Sequence, residues 1–164
     1  DVYKRQAVYG SAGKRDKDRR RMGEVSARLA DITVLTVEDP RDESVAEINR
    51  DILEFSKESH GVLAKKVSSN EEYKKLDLEA VEEAIREESK QGNSPFISFE
   101  EDSIQNRQDA IEFALRIAND GDVVFITGKG HEKTLAFGKE EREVEWTDHE
   151  GVKIALEAMS ALAD

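Results

Sequence analysis

Short uncharged runs alternate along the chain with longer stretches whose apolar residues return every three or four positions. Residues 6–9 read as a buried strand that stops at Gly10, and 22–30 as a helix whose stripe is Met22, Val25, Leu29 and Ala30. Residues 32–37 form a β-branched run, and Pro40 ends it because proline has no ladder donor. Ser44 and Glu47 have capping-box spacing ahead of a helix carrying Val45, Ile48, Ile52 and Phe55 on one face. Residues 61–64 fit either a short strand or a helix end. Leu78, Val81, Ala84 and Ile85 then mark a surface helix in acidic surroundings, followed by a turn at 92–95 and a strand at 96–99. A stronger helix spans 109–119, with Ala110, Ile111, Ala114, Leu115 and Ala118 facing the core. The uncharged run 123–127, ended by Gly128, is expected as the central strand of the sheet. Residues 134–137 and 143–146 read as edge strands around a turn at 138–140. Asp148 is placed to cap a last helix bearing Val152, Ala155, Leu156, Met159 and Leu162.

Strand–helix alternation of this kind predicts an α/β domain with a parallel sheet. At 164 residues the chain has room for one compact domain. Charged residues make up 38% of it and the net charge is -12, which repels the phosphates of nucleic acid and anionic lipid. There is no cysteine, so disulfides and thiolate metal sites are excluded. His60, His131 and His149 lie far apart, without metal-ligand spacing. No apolar run approaches the ~20 residues that span a bilayer. Residues 1–6 open directly into a strand without an initiating methionine and read as a foreign leader or the end of an interdomain linker, with the domain proper at 7–164.

Two polar clusters fall where strands end, which is where parallel α/β sheets bind charged ligands. The first, GSAGKRDK at 10–17, lacks the spacing of a dinucleotide or triphosphate loop. It instead carries Lys14, Arg15 and Lys17 into the mouth of the sheet, arginine as a fork for carboxylate or phosphate and lysine as a point charge. Asp16 is placed to orient one of these cations or to meet a nucleotide sugar. Asp39-Pro40-Arg41 follows the next strand, so Arg41 is expected in the same crevice as Arg15. Gly128-Lys129-Gly130-His131-Glu132 lets the backbone turn tightly beside a ligand, with Glu132 as an acceptor for an amine. His131 has no assigned role.

Three blocks in order, YGSAGKRDKDRRRMGEVSARLAD, LTVEDPRDE and GDVVFITGKGHE followed by WTDHE, resemble the C-terminal domain of the Mur ligases. These are the amide-forming enzymes of peptidoglycan precursor synthesis, and the resemblance is to the members that extend UDP-N-acetylmuramoyl-L-alanyl-D-glutamate. It covers residues 7 to about 160. With the alternation above, it implies a Rossmann-like three-layer domain: a mostly parallel central sheet of about six strands, helices on both faces and a small antiparallel edge. It further implies that this domain recruits a free diamino acid, meso-diaminopimelate or L-lysine. An upstream central domain would bind ATP and Mg2+ and form an acyl phosphate, and the isolated domain would be inactive. Substrate contacts map onto Arg15, Asp39, Arg41, Gly128 and Glu132, and nucleotide contacts onto Asp16 and Lys17. No catalytic residue or metal ligand is assigned to this domain. The expected setting is a cytoplasmic monomer whose partners are the UDP-sugar dipeptide, the amino acid and the upstream domains.

Two departures from the family pattern stand out. Where the family has D-N-P-R, this chain has Glu38-Asp39-Pro40-Arg41, and an ionised Asp39 accepts hydrogen bonds but donates none, favouring an ammonium over a carboxylate. The basic run before Met22-Gly23 is one residue short and lacks its proline. A folylpolyglutamate synthase-like ligase, or a non-catalytic ligand-binding module, stays open as an alternative.

Overall fold

In the computed structural model, which describes residues 3–14 and 17–163, five strands run parallel in one sheet. They are β1 (Arg5–Tyr9), β2 (Ile32–Leu35), β3 (Gly61–Val67), β4 (Ser94–Phe99) and β5 (Val123–Ile126), in spatial order β3-β4-β2-β1-β5. Strand β1 thus begins inside the stretch 1–6. The remaining pair, β6 (Thr134–Phe137) and β7 (Arg142–Glu145), is antiparallel and forms its own small sheet.

Helices α1 (Met22–Leu29) and α2 (Val45–Ser56) cover one face of the sheet. The other face takes α3 (Asn70–Lys74), α4 (Leu78–Lys90), α5 (Ile104–Arg116) and α6 (Asp148–Ala163). The two-residue period of a strand sorts the core between them. Val8, Val34 and Ile97 pack toward α5, while Tyr9, Leu35 and Phe96 pack toward α1 and α2 with Ala27, Ile48 and Ile52. This is the expected three-layer α/β architecture, with five strands in the main sheet rather than about six.

Three local expectations change. Strand β5 is an edge strand, not the central one: among the described residues it pairs only with β1, leaving Val123 and Phe125 more than half exposed. Its lack of charge matched a buried strand, but sheet order is set by which helix crosses which face, and here the chain returns from β4 to the far side of β1. Helix α1 buries Gly23, Ser26 and Ala27, so Val25 and Leu29 are exposed beside Phe125. Tight packing of α1 on α2 explains the rotation, since a Cβ on Gly23 would stand 2.0 Å from the Ile52 carbonyl oxygen. At the last helix, Thr147 rather than Asp148 caps, its hydroxyl accepting from the Glu150 amide at 3.2 Å. Asp148 is taken by a buried arginine described below. Ser44 does cap α2 as expected, accepting from the Glu47 amide at 3.1 Å.

Strand ends are clamped by buried side chains from the first turns of α5. Asn106 Oδ1 accepts from the Thr36 hydroxyl and the Val37 amide, and its Nδ2 donates to the Phe99 and Glu101 carbonyls. Arg107 is fully buried and donates to the carbonyls of Val37 and Thr127, each at 3.0 Å, tying the exit of β2 to that of β5. The polar loops start directly above these clamps.

Candidate functional site

The three loops leaving β1, β2 and β5 meet above the sheet. The loop after β1 lies against the turn 38–41: the Gly13 amide donates to the Asp39 carbonyl at 3.0 Å, and a Cβ on Gly13 would come within 1.9 Å of the Pro40 oxygen. Only glycine permits that approach. In the turn itself, Asp39 (φ 39°) and Arg41 (φ 55°) flank Pro40 in the left-handed region. Single non-glycine residues there cost on the order of 1–3 kcal/mol and persist where their surroundings hold them.

What holds them is a set of bonds to the other two segments. The Arg41 amide donates to the Ala136 carbonyl at 3.1 Å, and the Gly138 amide donates to the Arg41 carbonyl, stitching the turn to β6. Asp39 Oδ1 accepts from the Ala136 amide at 2.8 Å. Both carboxylate oxygens of Asp39 also accept from Lys129 Nζ, at 3.0 and 2.9 Å. Lys129 is buried, and its ammonium donates as well to Glu132 Oε2 at 2.5 Å. A Lys129 ammonium between two carboxylates therefore joins the turn after β2 to the loop after β5. In that loop Gly128 has φ 107°, and a Cβ there would overlap the Glu38 carboxyl, 2.2 Å from Oε2.

Glu38 is the most perturbed acid in this mouth. Burial pushes its carboxyl up to about 7, against the pull of Arg107, Arg19 and Lys129. Asp148 shows the opposite balance: burial alone would raise it, but paired donation from Arg107 at 2.7 and 2.8 Å, together with the Trp146 indole N–H, leaves it below the ordinary carboxylate range.

The basic segment after β1 is largely spent on local partners. Lys14 pairs with Asp42, Arg19 lies 3.7 Å from Glu38, Arg20 is buried against Glu43 and Asp51, and the Arg21 guanidinium stacks over the Phe55 ring. An acidic β2–α2 connection thus receives its counterions from the neighbouring loop.

Of the residues singled out from sequence, Asp39 and Glu132 share the Lys129 ammonium, Gly128 lies against the Glu38 carboxyl, and Arg41 follows in the Asp39 turn without contacting Lys129 among the described residues. Lys17 is exposed on the short 3-10 turn Lys17–Arg21 that follows the first loop. Arg15 and Asp16 lie outside the described residues. The Arg41 guanidinium is mostly buried and turned toward the first loop, donating to the Gly13 carbonyl at 3.2 Å. His131 is exposed. Read from sequence, Glu38 is, with Asp39, a partner for an ammonium or for the arginines, whereas Lys129 and Arg107 have no role assigned. For Arg107 a signal existed, since 107, 110, 111 and 114 share one helical face with the buried Ala110, Ile111 and Ala114. For Lys129 none did, because its partner Asp39 is 90 residues away. Among the described residues no three His, Asp or Glu side chains gather as metal ligands, and Asp39 and Glu132 already neutralise Lys129. These donors do not fit a Mg2+ ion of their own.

No protein-family model matches the chain. Curated relatives do. The chain is 32% identical over 157 residues to the UDP-N-acetylmuramoyl-L-alanyl-D-glutamate--2,6-diaminopimelate ligase of Chelativorans sp. (strain BNC1), an alignment covering 94% of this chain and 23% of that protein. It is 31% identical over 151 residues to the UDP-N-acetylmuramyl-tripeptide synthetase of Borreliella afzelii (strain PKo), covering 92% of this chain and 22% of that one. The synthetase of the same name from Roseiflexus sp. (strain RS-1) is 31% identical over 159 residues, 96% of this chain and 23% of the relative. The chain spans about a fifth of the length of the curated relatives it matches.

Proposed function

From the premise that this chain belongs to the Mur ligase family, we propose that it forms the amino-acid cradle of an ATP-dependent ligase. That ligase adds a diamino acid, meso-diaminopimelate or L-lysine, to UDP-N-acetylmuramoyl-L-alanyl-D-glutamate. The supporting observation is the Lys129 ammonium held between Asp39 and Glu132, which joins the turn that bears Arg41 to the loop that bears Gly128 and Glu132. A guanidinium beside carboxylates suits a zwitterion: Arg41 faces a ligand carboxylate, and the half-exposed Glu132 and the Gly128 backbone face an ammonium. Asp39 serves chiefly through Lys129 and Ala136, since those donors occupy its oxygens.

ATP and Mg2+ belong, in this reading, to a separate central domain that activates the D-glutamate carboxylate as an acyl phosphate. In the same reading Lys17, exposed on its 3-10 turn, would approach the nucleotide. The cradle would deliver the amine and, on closing, keep water from the activated carboxyl. The domain alone would bind but not ligate. In this reading the ligase is a cytoplasmic monomer, as expected for an enzyme acting on a UDP-sugar with ATP. Among the described residues no helix is long and apolar enough to cross a membrane.

Calorimetric titration of the chain with meso-diaminopimelate, L-lysine and L-glutamate tests this. Diamino acids should bind at least tenfold more tightly than glutamate. Arg41→Ala should weaken diaminopimelate by about 1.5–3 kcal/mol, the worth of a charge-assisted hydrogen bond. Equal binding of glutamate, or an Arg41→Ala variant that binds like the parent, would refute the assignment.

A further inference from the structure

Resting on that reading of Arg41, we propose that Glu141, in the β6–β7 turn, is an internal competitor for the Arg41 guanidinium, and that it sets how strongly the cradle takes ligands whose far end bears a carboxylate. Arg41 uses Nη1 on two backbone carbonyls, those of Gly13 and Asp39. Its Nε is buried and has no aligned acceptor among the described residues, yet Glu141 Oε1 stands 3.3 Å from it. The Nε–Nη2 edge is one on which an arginine takes a carboxylate as a fork, and the Glu141 carboxylate lies beside it, near enough to pair but not aligned to bond.

The chain fixes this encounter from both sides. The Arg41 amide and carbonyl are bonded to Ala136 and Gly138, so the hairpin cannot slide along the turn. The hairpin bend is closed by the Glu141 amide donating to the Gly138 carbonyl at 3.0 Å, with Glu141 itself at φ 50°. Glutamate is not a residue that favours the left-handed region. Held there, it stays within reach of Arg41. The Glu141 side chain is 43% exposed against 11% for Arg41, so it can swing into water while the guanidinium stays in place. Half-exposed ion pairs are weak, and the displacement is correspondingly easy. A ligand carboxylate arriving at Arg41 must evict Glu141; a ligand ending in an ammonium alone has no need to.

Glu141→Gln keeps the shape and removes the charge. Titrated with meso-diaminopimelate, the variant chain should bind about fivefold more tightly than the parent, the upper end for a surface ion pair. Its affinity for L-lysine should stay within twofold. In an Arg41→Gln background the same substitution should have no effect on either ligand. An unchanged ratio of the two affinities, or an equal gain for both, would overturn the competitor role while leaving the amino-acid cradle standing. If neither ligand binds the folded parent, the cradle itself falls, and the competitor with it.

Discussion

Arg107 and Lys129 are both cations withdrawn from water at the same end of the sheet, but they are held in different ways. Arg107, wholly buried, spends its donors on two backbone carbonyls and on Asp148, whose carboxylate is itself tied by Trp146. Every partner belongs to a regular element or its end. Lys129 is equally shielded, yet its partners Asp39 and Glu132 sit in a left-handed turn and an exposed loop, and Glu132 is half in solvent. The first cation builds the inner wall of the mouth. The second ties together two loops at the rim. Burial of a charge therefore says little about its role until the rigidity and exposure of its partners are known.

Removing each cation should separate the two cases. Arg107→Met leaves two carbonyls without donors and the Asp148 carboxylate with the Trp146 indole but no counterion, and should cost about 3–5 kcal/mol in urea unfolding, as broken buried pairs do. A loss below ~1 kcal/mol would mean the inner wall is not what supports the mouth.

Glu38 lies between the two cations and probes the boundary. Its folded value of about 7 stands above the ordinary 4.5, so between those values the native protein holds a proton that the unfolded chain has released. Stability from this group is present below about pH 4.5, falls as the pH rises toward 7, and is flat beyond, a swing on the order of 3 kcal/mol. Carboxyls held down by cations, such as Asp148 and Glu43, act in the opposite sense but below the ordinary range. Glu38→Gln should remove the decline and be the more stable protein at pH 8. Parallel stability curves for parent and variant from pH 5 to 8 would show that Glu38 is not desolvated.

Lys129→Met should be the mildest of the three for stability, about 2 kcal/mol, because the carboxylates it leaves can rehydrate. Its effect should fall on ligand binding, with diaminopimelate and lysine both weakened as the rims separate. A stability loss as large as that of Arg107→Met would erase the distinction between wall and rim.

Much of the fold was legible in the chain. Val45, Ile48 and Ile52 marked the buried face of α2, Val81 and Ile85 that of α4, and the β-branched run 32–37 the interior strand β2, because each signal is local and periodic. The position of β5 was not legible. Val123, Val124, Phe125 and Ile126 carry no charge, and nothing within that run says whether one strand or two will flank it. The Met22, Val25 and Leu29 stripe misled for a related reason: packing on α2, forced close by Gly23, decided which side of α1 faces inward. At the site, the glycines and charged residues of GSAGK, DPR and GKGHE stood out, but their mutual bonds did not. Asp39 and Glu141 illustrate this, one paired with Lys129 and the other poised at Arg41, across about a hundred residues of chain.

Sequence alone determined the alternation of strands and helices, the glycines at strand ends and the kinship with Mur ligases, since all three are written in neighbouring residues. Tertiary structure decided which cation meets which carboxylate, because only the parallel return of β1, β2 and β5 brings their exits side by side, and there burial and distance divide wall from rim.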